Sequence, residues 1–245
     1  MVPGIMQHIV AIGGGRVSEL GSINKEIIRL TGRSRPFALY IPTASKDALE
    51  GWEGFRRTYT RLGCRTDVLF CIRETPSRQM VRDTIGRADI IYVGGGNTLM
   101  MMRRWAFFGV DRELRRARER GAVLCGASAG AICWFDSGHS DSMRGYGHDP
   151  WEYIRVSGLG FVPGMLCPHY HHKDRRDECR RMVRQRGMPM VAVDDHAAVE
   201  VIGDRFRILT ARRHAGAWVV SRRRGRVVER RVPRQRDLMP LAELL

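Results

Sequence analysis

Apolar residues in this chain gather into short unbroken runs rather than alternations. The first, "IMQHIVAIGGG" (5–15), ends in three glycines. Four more follow: "FALYIP" (37–42), "DVLFCI" (67–72), "DIIYVGGG" (89–96) and "AVLCGA" (122–127). Runs of this kind predict strands covered on both faces, as in a parallel sheet. Between them lie charged, amphipathic stretches at 18–31, 47–62, 76–87, 97–106 and 110–120, which read as helices. Strand and helix in alternation predict a doubly wound, mostly parallel α/β sheet.

Beyond Pro150 the rhythm changes. "VPGMLCPHY" (162–170) and "MVAVDD" (190–195) read as strands on either side of a charged helix at 173–186. "AAVEVIGDRFRIL" (197–209) reads as a hairpin turning at Gly203-Asp204, and 218–232 as a second hairpin. There is no long linker, repeat or low-complexity tract, so residues 1–245 are expected to form a single domain with C-terminal hairpins.

Composition adds limits. With 43% hydrophobic residues the chain can bury a substantial core. No window approaches the length of a membrane span, and no signal peptide is visible, which gives the expectation of a cytoplasmic protein without membrane partners. The six cysteines include no CxxC pair and are expected to be reduced and mostly buried. The net charge of +16 comes almost entirely from arginine. Its densest run, Arg222 to Arg236, lacks the interleaved aromatics that single-strand binding favours, so nucleic acid is not the expected partner.

Chemistry concentrates at strand ends, where open α/β sheets bind ligands. In "VLCGASAGAI" (123–132) Ser128 sits where a strand becomes a helix, among Gly126, Ala127, Ala129 and Gly130. On spacing alone, two readings stand: a nucleophile elbow, or plain tight strand–helix packing. His169, in "CPHYHH", ends a predicted strand and is a candidate base for the serine. The same histidines could instead be a solvated loop, or join Cys167 at a metal, although no second Cys/His pair has metal-site spacing. "VGGGNT" (93–98) could offer backbone N–H groups to an anion, but lacks the lysine of a P-loop. "AIGGGRVSE" (11–19) is a glycine turn without the dinucleotide-binding spacing.

Taken together, "VGGGNT", the later "G-x-SAGA" and the strand-end "PH" resemble the peptidase E family of serine peptidases, family S51, which includes cyanophycinase. The resemblance spans roughly residues 37–210. It implies a class I glutamine-amidotransferase-like fold and hydrolysis of short peptides, with N-terminal aspartyl dipeptides the expected substrates and cyanophycinase-like or β-aspartyl cleavage the alternative. It implies Ser128 as nucleophile, His169 as base, N–H groups near Gly95 and at Ala129 as the oxyanion hole, and Asn97 as a substrate-holding residue. The family takes its acid from between serine and histidine, which points to Asp141, with Asp136, Asp149 and Glu152 as alternatives. Arg176, with Arg175 next, is matched to an arginine that would hold a substrate carboxylate. Asp195 in "VDDH" is matched to a contact with the substrate ammonium or a turn cap. No cofactor or metal is expected. A small peptide is the expected partner, and a homodimer is the common default.

Overall fold

The computed structural model describes residues 7–146 and 150–244. The alternation read from the sequence is present. It runs β1 (His8–Ile12), α1 (Gly21–Leu30), β2 (Phe37–Ile41), α2 (Leu49–Arg61), β3 (Arg65–Val68), α3 (Arg78–Arg87), β4 (Ile90–Val93), α4 (Thr98–Phe108), α5 (Val110–Glu119) and β5 (Val123–Ala127). Strands β1, β5, β4, β2 and β3 lie side by side in that order, all parallel. β4 and β5 are buried along their whole length, which is why their sequences carry no polar alternation. β3 ends before the apolar run at 67–72 does. The Asp47 carboxylate accepts the N–H groups of Cys71, Ile72 and Arg73 (2.8, 2.5 and 3.0 Å), so that stretch is tied to a loop instead of the sheet.

α6 (Ala129–Ile132), a single buried turn, carries the chain out of the first sheet. It enters a second one through β6 (Phe135–Ser140), β7 (Ile154–Ser157), β8 (Val162–Cys167), α7 (Lys173–Arg186) and β9 (Met190–Val193). The remaining strands are β10 (Ala197–Ile202), β11 (Arg205–Thr210), β12 (Ala217–Arg223), β13 (Arg226–Val232) and β14 (Met239–Pro240). The result is a mixed α/β fold with two sheets: eight strands in the order β14-β11-β10-β1-β5-β4-β2-β3, and six in the order β13-β12-β9-β8-β6-β7.

The hairpins do not sit apart from these sheets. β10 pairs antiparallel with β1, and β12 pairs antiparallel with β9. β6 and β7 lie between α6 and β8, where the sequence pattern predicts no strand. "FDSGHS" shows no strand pattern because its buried polar residues are hydrogen-bonded: Ser137 Oγ accepts from Arg155 Nε (3.0 Å), and Ser140 Oγ meets Ser142 Oγ (2.8 Å).

One continuous apolar core joins the two sheets, with Ile9, Leu39, Trp105, Trp134, Leu166 and Val219 among its members. The opposite face of the first sheet packs on α1 and α2 through Tyr40, Phe55, Tyr59 and Tyr92, with Phe55 stacked on Tyr40 and Tyr59 and tilted to Tyr92. Buried Glu200 on β10 pairs with Arg207 on β11, which also reaches Glu26 of α1 at 2.6 Å and ties the hairpin to that helix. All six cysteines are free and buried. In the basic C-terminal run, Arg222 donates to the backbone carbonyl of Arg184, Arg230 to that of Glu243, and Arg234 to those of Arg212, Arg213 and Ala215. No helix among the described residues is long and apolar enough to cross a membrane.

Candidate active site

Ser128 follows β5 with φ 57° and ψ −113°, a backbone conformation that a side-chain-bearing residue adopts only when its surroundings enforce it. The enforcement is visible. Its N–H donates to Ile12 O, and its carbonyl accepts the N–H groups of Ala131 and Ile132, opening α6. A Cβ on Gly126 would stand 2.5 Å from Gly130 O, and one on Gly130 would stand 2.1 Å from Val93 O. The two readings of "GASAG" are therefore one arrangement: tight packing of small residues forces the turn that exposes the serine.

His169 follows β8, also at positive φ (57°). Its Nε2 lies 2.7 Å from Ser128 Oγ, and its Nδ1 lies 2.6 Å from Asp195 Oδ1. An aspartate carboxylate only accepts, so Nδ1 carries the proton and the Nε2 lone pair faces the serine hydroxyl. Burial works against the charge on Asp195. The hydrogen bond from His169, with His171 and His172 nearby, outweighs it and holds the carboxyl below its ordinary range. Gly14 closes the back of this pair: a Cβ there would stand 1.9 Å from Asp195 Oδ1 and 2.5 Å from the His169 ring. The glycine turn at 13–15 thus makes room for the imidazole and its carboxylate, a use that the spacing of glycines alone does not signal.

The Gly94–Gly96 loop faces the serine from the other side. A Cβ on Gly95 would lie 3.2 Å from Ser128 Cβ. Ala129 is the first residue of α6, so its N–H has no partner within the helix. Gly95 thus lies against Ser128, and Ala129 follows it directly in the chain.

Three expectations need correction. Asp141 is not beside His169; Asp195 occupies the Nδ1 side, and Asp141 accepts instead from Arg175 Nη2 at 3.0 Å. Of the alternatives, Asp136 accepts from the Gly164 N–H, Glu152 is exposed, and Asp149 lies outside the described residues. Arg176 does not reach the serine; it pairs with Glu229 and lies over the Tyr170 ring. Arg175, the next choice, is buried and donates to His139 O as well as to Asp141. Asp195 is engaged by His169 and not held out for a substrate ammonium. Asn97 does line the cavity beside Ser128, but its amide is already used. Its Oδ1 accepts from Met100 N at the start of α4, and its Nδ2 donates to Ser142 O at 2.8 Å.

That cavity measures about 490 Å³, and Ser128 stands on its wall. Lys46 and Arg144 supply positive charge there, and Asp141 and Tyr146 are among its other polar lining residues. Lys46 is presented by a left-handed turn (φ 57°) that buried Asp47 anchors to residues 71–73. The ligand atoms of His169, His172 and Asp195 lie within 4.8 Å of one another, close enough for a divalent ion, but two of the three side chains are held in the serine–histidine–aspartate chain.

The arrangement has parallels in known proteins. The chain is 33% identical over 234 residues to an uncharacterized peptidase of Bacillus subtilis (YgaJ), covering 93% of this chain and 98% of that one. A Drosophila melanogaster protein named "Probable alpha-aspartyl dipeptidase" is 28% identical over 134 residues, about half of each chain (50% and 53%). Among solved structures, a peptidase from an acI-B1 actinobacterium shares the fold with a TM-score of 0.72 at 17% identity, covering 97% of this chain and 98% of that one. The model of peptidase family S51 matches residues 9–209, from the start of β1 to the end of the first hairpin, and the chain belongs to that family.

Proposed function

We propose that this chain is a serine peptidase that hydrolyses short peptides with an acidic residue on the acyl side, aspartate foremost. The observation that carries the reading is the unbroken link from Ser128 Oγ through His169 to Asp195, at 2.7 and 2.6 Å, with the serine on a strained elbow. Ser128 Oγ attacks the scissile carbonyl carbon while its proton passes to His169 Nε2. Asp195 holds the resulting imidazolium. The Gly95 and Ala129 N–H groups take the oxyanion. As the C–N bond breaks, Nε2 returns the proton to the leaving amine. Water, deprotonated in turn by Nε2, then cleaves the acyl-enzyme and restores the serine.

The acidic preference rests on Lys46 and Arg144 in the cavity beside Ser128, which would pair with a substrate side-chain carboxylate. The name of the fly relative agrees with this preference. Asp141, fixed by Arg175, gives the substrate ammonium a counter-charge in the same cavity. The test is hydrolysis of Asp-Leu, Glu-Leu, Ala-Leu and β-Asp-Arg by the wild type and Ser128→Ala. Cleavage of Asp-Leu ahead of Ala-Leu, reduced at least about 10³-fold in the variant, is the expected outcome. Cleavage of β-Asp-Arg alone would move the assignment to β-aspartyl peptides. Folded wild type that cleaves none of the four would overturn the reading.

A further inference from the structure

A second cavity, of about 420 Å³, opens on the other side of the glycine loop, between the Gly15–Ser18 turn and α2. Gly95, which lies against Ser128, and Ala127, which precedes it, form part of its wall, and Ser45 lines both cavities. Its floor is aromatic, formed by Tyr40 and Phe55, which stack on each other, and by Tyr92, tilted against them. The Tyr92 hydroxyl is buried with no hydrogen-bond partner among the described residues. Missing side chains keep the space open: a Cβ on Gly51 or Gly94 would stand 2.8 or 2.6 Å from Tyr40 Oη. Arg16 and Arg57 stand at the exposed rim with Glu50, which leaves the rim net positive.

The direction of the chemistry decides what this cavity holds. The leaving amine must collect its proton from His169 Nε2, so the leaving residue lies on the histidine side of the serine. Gly14 touches the His169 ring, and the residues immediately after it, Gly15 to Ser18, wall the second cavity. Among the described residues, the first cavity takes no lining from that turn.

We infer that the second cavity is the subsite for the leaving residue, and that it takes a C-terminal amino acid with an aromatic or large apolar side chain. The side chain packs on Tyr40, Phe55 and Tyr92, and the free α-carboxylate faces Arg16 and Arg57. This deepens the peptidase reading and rests on it. A closed floor and a charged rim favour a substrate that ends there, a dipeptide, over a longer chain.

Gly54 offers a clean test. It lines this cavity, lies mid-helix in α2 and has nothing within 4 Å of where a Cβ would stand. Gly54→Leu therefore adds a side chain to the cavity wall at a position open at Cβ, and a helix interior tolerates leucine better than glycine. The experiment compares kcat/KM for Asp-Phe, Asp-Ala and Asp-Phe-amide in wild type and Gly54→Leu, and measures L-phenylalanine binding calorimetrically in both. Wild type is expected to favour Asp-Phe over Asp-Ala and over the amide by about tenfold or more. The variant is expected to lose at least tenfold on Asp-Phe, less than threefold on Asp-Ala, and its binding of phenylalanine. Equal losses on both dipeptides, or none, would overturn the subsite. If no peptide is cleaved, the peptidase reading fails, and phenylalanine binding alone decides the subsite: binding lost in Gly54→Leu upholds it, and binding absent from wild type or unchanged in the variant refutes it.

Discussion

Exchanging the Asp195 carboxylate for an amide should be far more damaging than the same exchange at Asp141. In the ground state Asp195 Oδ1 accepts the Nδ1 proton of His169 at 2.6 Å, and in the transition state it faces a full imidazolium charge. Opposite unit charges at that separation attract by about 6 kcal/mol at an effective dielectric of 20. The Asp195 side chain is 21% exposed, so solvent screening lowers that to roughly 4 kcal/mol, or about 10³ in kcat. The amide adds a second fault. A carboxamide at position 195 that donates to Nδ1 leaves the proton on Nε2, facing the serine, and the imidazole can no longer act as base. Asp195→Asn should therefore lower kcat at least about 10³-fold with little change in KM. Asp141→Asn should act mainly on KM, because Asp141 lies in the cavity wall against Arg175. Steady-state kinetics on Asp-Leu, with circular dichroism to show that both variants fold, makes the comparison. A kcat within tenfold of wild type for Asp195→Asn, or a 10³-fold loss for Asp141→Asn, would refute the assignment of the acid.

Gly14→Ala should remove most activity, since its methyl would overlap Asp195 Oδ1, and a crystal structure of the variant should show the His169–Asp195 contact broken. Arg176→Ala should leave kcat/KM within about twofold and cost at most about 1 kcal/mol, because its partner Glu229 keeps Arg180; a tenfold rise in KM would return Arg176 to the substrate site. Asp194 sits buried beside the triad, where burial raises its pKa to about 6. The folded state thus holds this proton more tightly than the unfolded chain, and stability is lost as pH rises from about 4 through 6. Chemical denaturation of wild type and Asp194→Asn should show the variant gaining about 2–3 kcal/mol relative to wild type between pH 4 and 7, and a pH-independent difference would contradict the raised pKa.

The parallel half of the first sheet was legible because its strands are buried on both faces, and burial on both faces writes itself as unbroken apolar runs. Ser128 and His169 were legible because strand ends are where such sheets bind ligands. β6 was not, since Ser137 and Ser140 find hydrogen-bond partners inside the protein and the strand needs no apolar pattern to be buried. Asp195 was visible as a strand-end carboxylate. The family resemblance points instead to an acid between serine and histidine, and three-dimensional closure does not obey that order. Lys46 gave no signal: its place in the cavity depends on a left-handed turn fixed by Asp47 through three N–H groups far along the chain.

Ser128 hangs from β5 of the eight-stranded sheet, whereas His169 and Asp195 hang from β8 and β9 of the six-stranded one. Neither sheet owns a working set, and the hydroxyl meets its base only across the seam between them. On the proposed mechanism, turnover is therefore a coincidence signal for docking. In refolding, far-UV ellipticity can return while either sheet forms on its own, but hydrolysis returns only when the seam closes to within a hydrogen bond. A hydrolase built this way is silent until it is finished, so recovered activity reports the closed seam and not the separate sheets.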